Sequence, residues 1–252
     1  DPSQIPTYLV SKIAKQNVTV ALSGDGGDEL FGGYNRHVFL KMWESFEGFP
    51  YRARQLTGKL LNAGQKIKLF NILESLDFTN FLPKNLNDKV SKISGRLIDI
   101  KDSHELIRSL SMIDNLNHSA INENLVSENL EIFHNFETYQ GSLMEKMTYL
   151  DAMKYLPDDI LVKVDRASMA NSLETRAPFL DYKLVEFAFG LPENLKINKG
   201  SSKWILRQVL FNMLPRELIE RPKMGFGVPV GSWINGPLKD WANSLLTEEK
   251  LN

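Results

Sequence analysis

Ser23-Gly-Asp-Gly-Gly-Asp-Glu-Leu-Phe-Gly-Gly-Tyr34 is the stretch whose reading decides the fold. It holds five glycines and three acids, Asp25, Asp28 and Glu29, within twelve residues. Just before it, Val18-Thr-Val-Ala-Leu22 is short and β-branched, which predicts a buried parallel strand. A helix is expected to start near Asp28. Pro6 to Lys15 reads as an earlier helix with Tyr8, Leu9 and Ile13 among its apolar positions. Helix, strand, glycine-rich loop and helix in that order describe an open α/β sheet whose ligand sits at the strand's carboxyl end.

A glycine-rich turn between strand and helix leaves backbone N–H groups pointing at whatever lies above the helix start, and such a nest favours phosphate. The acids would repel a bare phosphate, so a bridging hard cation such as Mg²⁺ is expected. An acid that does not ligate metal can take a proton from an incoming nucleophile. The plainer alternative is a tight turn in which Asp28 and Glu29 serve the helix dipole and Phe31 the core. No generic turn requires all five glycines. Gly26-Gly-Asp-Glu-Leu30 also resembles the diguanylate cyclase signature, but that motif sits in a hairpin, and Phe-Gly-Gly-Tyr is poor strand material.

Outward from the loop the pattern is mostly helical. From about Lys41 to Leu116 breaks are expected at Gly48, Pro50, Gly64, Pro83 and Gly95, and Met112 to Gly141 reads as polar loop or short helix. Leu143 to Tyr155 is amphipathic and should stop before Pro157, with Asp158 or Asp159 capping a new helix through Ile160, Leu161, Val164 and Ala167. Asp181 is placed to cap Tyr182 to Phe189, with Gly190 as a left-handed terminator. Ser201 or Ser202 should cap a further helix containing Ile205 and Val209, and Lys203 and Arg207 are expected on its solvated side. With only one clear strand, the fold class expected is mainly α with a remnant of an open parallel α/β sheet. The rest of that sheet is therefore expected upstream of Asp1 or in a partner, and a chain that begins at Asp1 without an initiator Met reads as cut from something longer.

Composition narrows the function. The 252 residues carry 24% charged side chains and a formal net charge of −1, with no positive excess to suit a nucleic acid. No apolar run is long enough for a bilayer, and no secretory leader is evident, so a cytoplasmic protein is expected. There are no cysteines, which excludes thiolate metal sites and a cysteine nucleophile within the chain. Four scattered histidines show no zinc-ligand spacing.

The loop with Leu22 in front closely resembles the Ser-Gly-x-Gly-x-Asp-Glu segment of glutamine-dependent asparagine synthetases. Asp165-Arg-Ala-Ser-Met-Ala-Asn-Ser-Leu-Glu-Thr-Arg-Ala-Pro-Phe-Leu-Asp181 resembles that family's second signature, and Arg221-Pro-Lys-Met-Gly-Phe-Gly-Val-Pro229 its third. The resemblance implies that residues 1–252 are the C-terminal portion of a synthetase domain of the adenine nucleotide hydrolase-like, PP-loop type. The PP-loop segment and the N-terminal glutaminase domain would lie outside this chain, in the same full-length protein. It implies an ATP- and Mg²⁺-dependent ligase that activates aspartate as an aspartyl-adenylate and amidates it with ammonia from glutamine. By that resemblance Ser23 and Gly24 contact ATP, Asp28 holds Mg²⁺, Asp25 assists nucleophile attack, and Lys223 stabilises the leaving pyrophosphate. Asp25 stands where better-known members often carry Glu, so its reach is shorter.

Asp165, Arg166, Glu174, Arg176 and Asp181 read first as a buried ion-pair network joining helices, with substrate carboxylate binding by Arg166 or Arg176 as the alternative. Two functional alternatives remain. Relatives on this scaffold close β-lactam rings or amidate other carboxylates, and a fragment of this kind can serve as a non-catalytic folding or homodimer unit.

Overall fold

The computed structural model describes residues 1–66, 86–111, 139–220 and 227–246. Their elements, in order, are α1 (Gln4–Lys15), β1 (Val20–Leu22), α2 (Gly27–Leu30), α3 (Asn35–Glu47), α4 (Tyr51–Lys66), α5 (Leu86–Asp99), α6 (Ser103–Ser111) and α7 (Leu143–Leu150). A π-helix (Asp151–Leu161) leads into α8 (Val162–Met169), β2 (Glu174–Arg176), a 3₁₀ turn (Pro178–Leu180), α9 (Tyr182–Gly190) and α10 (Glu193–Lys196). The chain continues through α11 (Trp204–Phe211), α12 (Arg216–Ile219), α13 (Val230–Asn235) and α14 (Lys239–Leu245). Helix dominates, as expected. No helix among the described residues is long and apolar enough to cross a membrane.

The chain divides into two compact units. The first comprises Asp1–Gly27, Lys154–Gly190 and Ile205–Asn252. Within it α1 packs along α8, tied at its middle by Asn171 Nδ2 donating to the Tyr8 carbonyl at 3.3 Å. β1 pairs in parallel with β2, in the register Val20↔Glu174, Ala21↔Thr175, Leu22↔Arg176. The strand is parallel but not buried: Val20 is 40% and Leu22 75% exposed. A two-stranded ribbon has too little area to cover its own faces. β2 was not expected. Glu-Thr-Arg has little strand propensity of its own, and its ladder bonds come from the β1 side, with Glu174 N donating to Thr19 O and Ser23 N to Arg176 O.

Three further expectations in this unit are corrected. The helix does not stop before Pro157; it widens into the π-helix and passes through it. An i→i+5 register tolerates the missing N–H and the ring better than an α-turn does. No aspartate caps a new helix there, since α8 follows directly with Leu161 at its N-cap position. Gly190 is the last residue of α9 rather than a left-handed cap, because only Gly26, Gly32 and Gly200 have positive φ among the described glycines. Asp181 does cap α9, accepting from Lys183 N at 2.9 Å. The expected buried ion network is absent from the described residues. Arg166 pairs with its neighbour Asp165, and Arg176 with Glu174, on side chains that are all more than half exposed.

The second unit comprises Asp28–Met153 and Leu191–Trp204. Its core joins Leu40 and Trp43 of α3, Leu97 of α5, Leu106 and Ile107 of α6, and Leu143, Met147 and Leu150 of α7. α4 and α5 pack along each other. Gly64 and Gly95, expected as breaks, therefore lie inside helices. The packed faces offset the roughly 1 kcal/mol that each glycine costs a helix. The breaks at Gly48 and Pro50 hold, while Pro83 and most of the 112–141 segment lie outside the described residues. A capping box starts α7, with Ser142 Oγ accepting from Glu145 N at 3.1 Å and Glu145 Oε2 accepting from Ser142 N at 3.0 Å.

Candidate functional site

In the first unit Ser23, Gly24 and Asp25 leave the end of β1 and form one wall of a slot of about 330 Å³. Its other walls come from Val10 and Ala14 of α1, Lys163 and Val164 of α8, and Leu173 and Thr175. The backbone of Ser23 is fixed by its N–H bond to the Arg176 carbonyl at 2.8 Å. Its hydroxyl is buried and has no hydrogen-bond partner among the described residues. Ser23 thus lines the slot and carries an unsatisfied buried hydroxyl, a polar group that a ligand seated there could satisfy once the side chain turns toward it. The loop turns back through Gly26, whose φ is +89°, and a Cβ there would stand 2.7 Å from Leu180 Cδ2. Only glycine fits both the backbone and the space.

Asp28 belongs to the second unit, in the first turn of α2. Its Oδ1 lies 3.1 Å from Lys203 Nζ, with both side chains about one-quarter to one-third exposed (26% and 30%). Lys203, expected on the solvated side of its helix, instead stands just before α11 and meets Asp28. It takes φ +51°, a left-handed conformation uncommon for a residue with a side chain. Gly33 closes the turn by donating its N–H to the Asp28 carbonyl at 2.7 Å. A Cβ on Gly33 would overlap both the Asp28 carboxylate and Lys203 Cε, so the glycine leaves the room in which the pair forms. No sequence spacing pointed to Lys203, which is far from Asp28 along the chain; only the backbone strain marks it.

Lys223 lies outside the described residues, as do Arg221 to Phe226 around it, so the third motif contributes only Gly227 to Pro229. Among the described residues no group of three or more histidine, aspartate or glutamate side chains could hold a metal ion. At Asp28 the carboxylate is the one protein group of the pair that can ligate a cation, since the Lys203 ammonium beside it has no lone pair. A Mg²⁺ held there would need most of its shell from other oxygens, such as those of a phosphate, to offset the ammonium.

Elsewhere in the second unit, burial shapes a separate charged group. Lys41 Nζ donates to the Ile197 carbonyl at 3.1 Å and lies 3.7 Å from Glu193 Oε2. Burial, with help from the nearby Glu44 charge, holds the Glu193 carboxyl above the usual carboxylate range. Burial pulls the Lys196 ammonium down, against the opposing carboxylates of Glu145 and Glu193.

The family model for asparagine synthase matches residues 1–252, the whole chain. Asparagine synthetase [glutamine-hydrolyzing] 1 of Bacillus subtilis is 32% identical over 99% of this chain and 37% of its own length. A chicken asparagine synthetase is 39% identical over a shorter stretch, 29% of this chain and 13% of its own. An amidase of Penicillium rubens, chyE, is 23% identical over 96% of this chain and 37% of its own. The chain thus spans little more than a third of the B. subtilis relative. No solved structure matches it. With the family model covering every residue and the B. subtilis enzyme aligned from end to end of the chain, the protein is a member of the asparagine synthase family.

Proposed function

We propose that this chain is the pyrophosphate-side portion of a PP-loop-type, ATP-dependent amide ligase that converts aspartate to asparagine with ammonia from glutamine. The observation that carries the reading is the orphaned Ser23 hydroxyl beside the slot at the end of β1. A buried hydroxyl without a partner costs about 1–3 kcal/mol, a cost that a nucleotide contact would offset.

On this reading Ser23 and Gly24 hold and orient the nucleotide. Asp28 is the acid on the magnesium–phosphate side, and Mg²⁺, when bound, would neutralise charge on the phosphates. Lys203 holds the Asp28 carboxylate in one orientation and offers an ammonium to phosphate oxygens. Lys223 adds a second cation for the leaving pyrophosphate. Asp25 accepts a proton from ammonia as its nitrogen bonds to the activated carboxyl carbon and the bond from that carbon to AMP breaks. Glutamine hydrolysis belongs to the companion glutaminase domain of the full protein. The expected setting is cytoplasmic, and ATP and Mg²⁺ are the expected cofactors.

A second reading keeps the chemistry and changes the carboxylate. It is favoured by the short Asp25 and by the alignment of 96% of this chain with 37% of the chyE amidase. The full protein, supplied with Mg-ATP, glutamine and a panel of carboxylic acids, distinguishes the two. Asparagine and AMP formed with aspartate alone support the first reading, and product with another acid but not aspartate supports the second. No AMP with any acid removes both.

A further inference from the structure

We propose that Asp151, Arg36, Tyr34 and Glu29 form a positioning relay that fixes the turn carrying Asp28. The inference rests on the reading of Asp28 as the acid on the magnesium–phosphate side. Asp151, at the end of α7, is 2% exposed. It accepts from Arg36 Nε at 3.0 Å and Nη2 at 2.7 Å, a two-point clasp. His37 Nε2 lies 2.6 Å from the same carboxylate. The His37 ring is fully buried, and its Nδ1 has no hydrogen-bond partner among the described residues. We therefore assign the proton to Nε2, donating to Asp151, with Nδ1 left as a bare lone pair. The first turn of α3 is thus pinned to the end of α7 by three hydrogen bonds on one carboxylate.

From that anchor the relay runs back toward the loop. Arg36 Cζ sits 4.5 Å over the Tyr34 ring, whose edge meets His37 at 5.4 Å between centroids. The Tyr34 hydroxyl donates to the Glu29 carboxylate, which is 2% exposed. Glu29 follows Asp28 in α2. The 28–34 turn is therefore clasped twice, by the Gly33-to-Asp28 backbone bond and by Tyr34 on Glu29. Buried charges of this kind rarely add more net stability than well-packed apolar side chains would. What they add is direction. Each bond admits one arrangement, and together they leave the Asp28 backbone a single position from which its carboxylate meets Lys203.

Tyr34→Phe in the full protein tests the relay, because it removes one hydroxyl and nothing else. Hydrogen–deuterium exchange is followed for peptides spanning 27–34 and for those of α3 and α5. A charge-assisted bond lost from a buried carboxylate should speed exchange in 27–34 roughly ten- to a hundredfold, leaving the α3 and α5 peptides unchanged. Glu29→Gln, whose amide oxygen still accepts from Tyr34, should stay near wild type. Asp151→Asn should reproduce the local loosening. If that variant does not fold, Tyr34→Phe decides alone. Unchanged exchange at 27–34 in Tyr34→Phe overturns the relay. So does acceleration spread evenly over the unit, which is what a merely structural role would give. In ATP–pyrophosphate exchange, Tyr34→Phe should raise the Mg²⁺ concentration for half-activation and leave the KM for the carboxylate unmoved. Should the wild-type protein catalyse no such exchange, the proposed function falls, while the deuterium result still decides the relay.

Discussion

Gly33→Ala is the perturbation whose cost follows most directly from the geometry. The new methyl would occupy space already held by the Asp28 carboxylate and Lys203 Cε. Neither group can yield without breaking the 3.1 Å pair between them. Overpacking of this kind costs about 1–3 kcal/mol. The lost ion pair adds less than about 1 kcal/mol, because both side chains reach solvent and are screened. Both obstructing atoms belong to the ends of partly exposed side chains that can swing away, so the steric term stays at the low end of that range and a total of about 1 kcal/mol is expected. Urea unfolding of the full protein reads it as a lower midpoint with an unchanged slope. Adding Lys203→Ala removes the Cε that would stand 2.4 Å from the new methyl, so the double variant should cost less than the sum of the two single changes. Gly33→Ala within about 0.5 kcal/mol of wild type would refute the crowding argument. Strict additivity in the double variant would show that the methyl and Lys203 do not compete for the same space.

Ser23→Ala should act with opposite signs on two readouts. Removing a buried hydroxyl that lacks a partner is expected to leave stability unchanged or raise it by up to about 1 kcal/mol, while Mg-ATP binding by calorimetry weakens severalfold. Loss of stability without loss of binding would show that the hydroxyl serves the fold. Glu193 should impose a pH dependence of definite sign. Its folded-state pKa is raised above the ordinary 4.5, so its stabilising contribution is complete below that pH and is lost as pH rises through the folded value. The stability of wild type relative to Glu193→Gln, from urea midpoints at a series of pH values, should therefore fall as pH rises above 4.5. A flat difference would mean that burial does not perturb this carboxyl.

What was legible in the sequence was local chemistry with rigid geometric demands. Ser23 to Tyr34 announced a strand-to-helix turn because several glycines there answer to a backbone angle or a close contact, as Gly26 and Gly33 do. Asp181 was readable as a cap, and Gly48 with Pro50 as a break, for the same local reason. What escaped was settled by partners distant in the chain. β2 exists because β1 lies beside it, and Gly64 and Gly95 stay helical because α4 and α5 bury their faces together. Pro157 is carried through a helix by a change of register that no single-residue preference reveals. Lys203 could not be seen as the companion of Asp28, since the pairing depends on a strained backbone and a missing Cβ at Gly33. The buried network imagined for the second signature failed because charges interleaved with small residues look alike on a surface and in a core.

The central claim is that the Ser23 to Tyr34 loop serves adenylation of a carboxylate, with Asp28 on the metal and phosphate side. ATP–pyrophosphate exchange by the full protein, with aspartate but without glutamine, tests it most directly. The account predicts Mg²⁺-dependent exchange that requires aspartate and falls at least a hundredfold in Asp28→Asn, the scale on which lost transition-state charge stabilisation is felt. Aspartate-dependent formation of ADP and phosphate, or exchange untouched by Asp28→Asn, would contradict it.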